Sequence, residues 1–212
     1  MKFLHILSVA GLVSGAVLPK SETQSVEPGS GLAKRADALQ TYHLKLKSNQ
    51  KSLKKKYLSL RSGVVGVFDA GEKADGVEVT LDSIQGYKSN DWVLSTYPIG
   101  IVEHALGLTG HSGYLDFVDL VQPSGHKPNR KGQTYSWQNF TIGDLGGKGD
   151  YKDTNELWLG ASDDSDPGWI ASPIGNEEWV IKHYTKNNES VVIQNYIAVE
   201  IFLERANMRP VG

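Results

Sequence analysis

The chain has 212 residues, 39% of them hydrophobic, and carries 22 Lys and Arg against 24 Asp and Glu, a formal net charge of −2. That balance argues against a general nucleic-acid binder, which needs a basic surface. The absence of cysteine excludes thiol catalysis, haem attachment through cysteine, thiolate zinc sites and disulfide staples.

Met1 to Ala16 reads as a secretory signal: one charge at Lys2, an apolar run from Phe3 to Val13, and the small residues Ser14-Gly15-Ala16 before the cleavage point. The run is shorter than the roughly 20 residues a bilayer-spanning helix needs, and no later segment reaches that length. No membrane span is expected. Val17 to Arg35 contains Pro19, Pro28, Gly29 and Gly31 but few large apolar groups, too little to offset its chain entropy. It closes on Lys34-Arg35, the pattern of a pro-segment cleaved before Ala36. Removing residues 1–35 would leave 18 basic and 22 acidic side chains, a net charge of −4. Residues 36–212 are then expected to form a single β-rich globular domain.

Within that domain the apolar pattern repeats every second residue. Thr41–Lys47 places Tyr42, Leu44 and Leu46 on one face and His43, Lys45 and Lys47 on a wet one, as an antiparallel strand does. Tyr57–Arg61 repeats the pattern, and Ser62-Gly63 turns it into Val64–Phe68. Lys47, Lys51, Lys54, Lys55 and Lys56 lie between the first two strands and read as a solvated hairpin loop or charged edge, in preference to a patch for acidic ligands. Val77–Leu81 and Trp92–Tyr97 are further strands. Ile99–Leu108 reads as strand because Gly100 and Gly107 disfavour a helix. Leu115–Val121, Tyr135–Ile142, Leu157–Leu159, Trp169–Ala171, Trp179–Tyr184, Val191–Tyr196 and Ala198–Leu203 follow, with turns at Asp163–Gly168 and Pro173–Asn176.

About ten short strands and no amphipathic helix of three turns predict an all-β fold, an antiparallel β-sandwich or compact barrel. A β-trefoil is the alternative. Tyr57-Leu58-Ser59-Leu60 and Leu157-Trp158-Leu159-Gly160 each stand ahead of a turn and another strand, but no third copy appears at even spacing. Of the tryptophans between Glu156 and Tyr184, at least two of Trp158, Trp169 and Trp179 are expected to enter the core from neighbouring strands.

Catalytic signatures are absent. No G-x-S-x-G elbow occurs, and Gly146-Gly147-Lys148-Gly149 lacks the spacing of a phosphate loop. Asp163, Asp164 and Asp166 have the oxygen chemistry of a calcium site but not an EF-hand pattern, so a solvated turn is expected. His104, His111 and His126 match no metal-ligand spacing and read as three unrelated histidines. Neither a catalytic set, a metal site nor a cofactor is predicted. Two N-x-[ST] sequons, at Asn139 and Asn188, are candidate glycan acceptors in a secreted chain.

The signal and Lys-Arg layout, Tyr42–Lys47 with Tyr57–Leu60, and Trp169-Ile170-Ala171 ahead of Trp179-Val180-Ile181 together give a chain that resembles the cysteine-poor, β-rich secreted proteins of filamentous fungi, with kexin-type processing at Lys34-Arg35. The resemblance implies an extracellular protein and carries no catalytic residues. The functional expectation is a non-catalytic binding or interaction module for cell-wall or host glycans, with Trp92 and Trp137 as candidate stacking residues. An extracellular hydrolase of unrecognised type and a virulence-associated surface protein acting through a partner protein are the alternatives.

Overall fold

The computed structural model describes residues 39–83, 91–111, 113–125, 133–143, 155–159, 167–175, 177–185, 195–206 and 208, all within a compact unit that spans Ala36–Gly212. The processing residues Ala16, Lys34 and Arg35, the sequon Asn188, the Asp163–Asp166 carboxylates, His126, the Gly146–Gly149 loop and the stretch Val191–Gln194 lie outside the described residues.

The described chain is all-β and antiparallel, and falls into three successive parts. The first holds β1 (Tyr42–Lys47), β2 (Ser59–Arg61), β3 (Val64–Val67) and β4 (Glu78–Ser83). The second holds β5 (Asp91–Tyr97), β6 (His104–His111), β7 (Tyr114–Val121), β8 (Gln133–Ser136) and β9 (Phe140–Ile142). The third holds β10 (Leu157–Leu159), β11 (Pro167–Gly175), β12 (Glu178–Thr185), β13 (Ile197–Ala198) and β14 (Glu200–Arg205).

Each part gives its first and last strands to one ring. β1 pairs with β4, β4 with β5, β5 with β9 and β9 with β10. The ring closes through the Glu156–Phe202 bridge from β10 to β14 and the full register of β14 on β1, from Tyr42 opposite Arg205 to Lys47 opposite Glu200. The three hairpins β2–β3, β6–β7 and β11–β12 pair with one another across β3–β7, β12–β3 and β12–β7. Six strands nearly closed into a barrel, with one hairpin from each third gathered beside them, agree with the compact barrel expected, and their order is that of the alternative, a β-trefoil.

Alternation explains why the barrel closes. Leu44, Leu46, Val79, Leu94, Ile142, Leu157, Ile201 and Leu203 face inward and form one cluster with Val65, Leu108, Phe117, Trp169 and Ile181 from the hairpins. Phe117 lies 5.0 Å from the Trp169 ring and 6.0 Å from Phe140, which joins the hairpin layer to the barrel. Trp169 is buried and Trp179 packs against the same cluster from the paired strand, while Trp158 is half-buried on β10. Hairpin contact also demands Gly66, where an added Cβ would lie 2.4 Å from the Trp179 carbonyl oxygen.

Several local expectations are corrected. His43 is buried, not wet, because the Tyr57 ring meets it edge-on at 5.9 Å where the Leu58 N–H binds the Leu44 carbonyl. The strand after Pro98 begins only at His104, since Ile99–Glu103 is the connection from β5 to β6 along the rim. Tyr135–Ile142 is divided between β8 and β9. Pro167, Gly168 and Pro173 belong to β11 rather than to turns. Among the described residues its second edge pairs at Ile170 and Ala171 and accepts the Val199 N–H at the Trp169 carbonyl, so neither proline is asked for a ladder bond there.

Candidate functional site

The segment that follows β5 carries the chain off the barrel rim and separates two depressions. Tyr97 and Pro98 form one wall of a cleft of about 340 Å³ whose other walls are Leu60, Asp75, Gly76, Val77 and Glu78. Ile99, Gly100, Val102, Glu103 and His104 line a smaller depression of about 90 Å³ with Asp82, Ser95 and Thr96. Ile99, Ile101 and Val102 of this segment are exposed apolar side chains.

The cleft is built by strand register. Glu78 opens β4 directly opposite Tyr97, the last residue of β5, and so places a carboxylate beside a half-buried aromatic ring. Thr41 Oγ1 donates to Glu78 Oε2 at 3.0 Å, and His43 Nε2 lies 3.9 Å from its other oxygen. The short 3-10 turn Lys73–Asp75 delivers exposed Asp75 to the opposite wall. Val77 N–H binds the Leu58 carbonyl at 2.8 Å, which fixes that wall against the chain leading into β2.

The smaller depression holds a preset polar trio. On β7 the residues Leu115, Phe117 and Asp119 share one face, so a carboxylate follows two core side chains toward the interior. Asp119 is answered on both oxygens: Thr96 Oγ1 donates to Oδ1 at 3.1 Å, and His104 Nδ1 meets Oδ2 at 2.8 Å. The Asp119 side chain is 15% exposed and that of His104 38% exposed. A carboxylate on Nδ1 selects the tautomer with hydrogen there and leaves Nε2 as the acceptor nitrogen. Nearby, Ser95 Oγ donates to Asp82 and Ser124 Oγ to Glu103.

Two other polar clusters have structural roles. On the outer face, Glu204 accepts hydrogen bonds from Lys45 at 2.5 Å, Lys73 at 2.6 Å and the Tyr57 hydroxyl at 2.9 Å. The bond from Lys45, then that from Lys73, holds the Glu204 carboxyl down at about 2. Within the core, burial pushes His183 down to about 4. The lysine cluster is divided: Lys47 pairs with Glu200, Lys56 donates to the Ala70 carbonyl, and Lys51, Lys54 and Lys55 are exposed on the turn anchored by buried Leu53.

Neither candidate stacking tryptophan lines these depressions. Trp92 is half-buried and packs on the core cluster, opposite Phe140 of β9. Trp137 is half-buried over Gly107, where an added Cβ would approach its own Cβ to 3.1 Å. Asn139 is exposed just ahead of β9. His104 is joined to Asp119 rather than isolated, whereas His111 is exposed at the hairpin end. Among the described residues no group of three His, Cys, Asp or Glu is arranged to hold a metal, and no helix is long and apolar enough to cross a membrane.

Sequence reasoning missed the Asp119 trio and the meeting of Tyr97 with Asp75 and Glu78. For the first a signal existed, a carboxylate at a core-facing position of an alternating strand, which must find donors when buried. No family model, curated protein or solved structure matches the chain.

Proposed function

We propose that this is a secreted binding module whose ligand is a glycan held in the cleft between Tyr97 and the Asp75–Glu78 wall. The carrying observation is that the register of β4 on β5 and the Lys73–Asp75 turn unite an aromatic ring with two carboxylates in one concavity of about 340 Å³. That volume lies in the range of small-molecule sites, roughly 300–1,000 Å³. Sugar hydroxyls donate to carboxylates while the C–H face of the ring packs on an aromatic side chain. The walls stand on paired strands and a backbone-tied turn, so little order is lost on binding. Secretion rests on the Met1–Ala16 pattern and the Lys34-Arg35 closure that follows it.

A glycan array probed with the secreted protein tests the reading, followed by titration of the best ligand against Tyr97→Ala and Asp75→Ala. Both variants should lose at least about tenfold in affinity, the value of one good contact of about 1.4 kcal/mol. A silent array, or binding untouched by both changes, overturns the assignment. Loss with Trp137→Ala in place of Tyr97→Ala would move the ligand to the Gly107 face.

A further inference from the structure

The depression on the other side of the Ile99–Val102 segment has a different chemistry, which does not depend on the glycan reading. We propose that His104 is a general base, positioned by Asp119 and Thr96, that activates water for hydrolysis of small neutral acyl esters, those of acetyl size.

The argument begins with the trio. A nearly buried carboxylate with one oxygen on a threonine hydroxyl and the other on His104 Nδ1 cannot rotate without losing a bond, so the imidazole plane and tautomer are fixed before any ligand arrives. Nε2 is then the basic nitrogen of a half-exposed ring that lines the depression. A base oriented by a carboxylate is the arrangement that proton transfer requires. The depression is small, about 90 Å³, and suits a short acyl group better than a long one. Ile99, Gly100 and Val102 supply an apolar wall for the acyl methyl, while Asp82, Glu103 and Asp119 repel anionic substrates.

In the reaction a water oxygen bonds to the acyl carbon as Nε2 takes one water proton and the carbonyl π pair moves to oxygen. Collapse of the tetrahedral intermediate restores the carbonyl and breaks the bond to the leaving oxygen. The imidazolium returns its proton to that oxygen, releasing a carboxylic acid and an alcohol. Asp119 takes no part in the bond changes and acts as a positioning residue.

The test is hydrolysis of 4-nitrophenyl acetate and 4-nitrophenyl octanoate by the secreted protein. The acetate should turn over at least about a hundredfold faster than with the same concentration of free imidazole, the scale of a positioned general base, and the octanoate should not. His104→Gln should fall to the imidazole background, and Asp119→Asn should lower kcat at unchanged KM. Gly100→Leu is a second route that leaves the trio intact: a Cβ at Gly100 meets nothing nearer than 3.9 Å, so the variant should fold, fill the depression and lose acetate turnover. Wild-type turnover no faster than imidazole overturns the proposal. Unchanged turnover in folded His104→Gln or Gly100→Leu, or equal rates on acetate and octanoate, overturns it as well.

Discussion

The ring of Trp169 meets that of His183 edge-on, with centroids 5.2 Å apart, on directly opposed positions of β11 and β12. The same indole donates its N–H to the Leu157 carbonyl at 2.8 Å, so one side chain links the hairpin layer to β10 of the barrel. Truncating it removes packing and also orphans a buried carbonyl.

Trp169→Ala should therefore cost about 3–5 kcal/mol, a large part of a total stability of roughly 5–15 kcal/mol. No disulfide is available to retain the fold. Half-buried Trp179 should cost less on truncation, about 2 kcal/mol. Urea unfolding of both variants checks the order, and a mild Trp169 effect would remove the proposed link between hairpins and barrel.

His183 makes stability fall with acid. Its folded-state value of about 4 lies below the ordinary 6.5, so between those limits the unfolded chain binds more protons than the folded one. Stability is unaffected above pH 6.5 and declines as pH drops toward 4, by about 3 kcal/mol in all. Unfolding free energies at pH 7.5 and 4.5 should show this slope in the wild type. His183→Gln, though less stable at both, should show much less of it, and equal slopes would refute the assignment.

Glu204 acts in a lower window. Its carboxyl is held at about 2 against an ordinary 4.5, so its contribution is present above pH 4.5 and lost as pH falls through 2. Because the Glu204 side chain is 34% exposed, the cluster with Lys45 and Lys73 is screened and should be worth only about 1 kcal/mol. Glu204→Gln should lower stability at pH 7 by that amount in low salt and by less in 1 M salt. A salt-independent loss would point to packing instead of charge.

Gly66 and Gly125 provide a matched pair. Alanine at 66 meets a backbone oxygen at 2.4 Å and the Phe68 ring at 2.6 Å, so hairpins must separate, at a cost of about 1–3 kcal/mol. Alanine at 125 meets nothing within 4 Å and should leave the melting temperature unchanged. Comparable effects at the two positions would contradict the hairpin contact.

Secreted protein should begin at Ala36, which N-terminal sequencing can decide. A start at Val17 would show that the segment closed by Lys34-Arg35 is retained.

Alternating apolar residues in stretches such as Tyr42–Lys47 and Leu115–Val121 determined by themselves that this chain is all-β, because burial of every second side chain is a local property of an extended backbone. They also placed Trp169 and Trp179 against the core. The trefoil order was legible only in part: the three parts begin at Tyr42, Asp91 and Leu157, at uneven spacing, and β11 hides its third hairpin behind Pro167 and Pro173. Closure of the ring depends on Phe202 reaching Glu156 and on β1 meeting β14, pairings between distant segments that no local pattern encodes. The same holds for both depressions. Glu78 faces Tyr97 across β4 and β5, and His104 reaches Asp119 diagonally across β6 and β7, two positions from its own partner Val121; that register is decided by how the whole barrel packs its core, not by the residues that end up side by side.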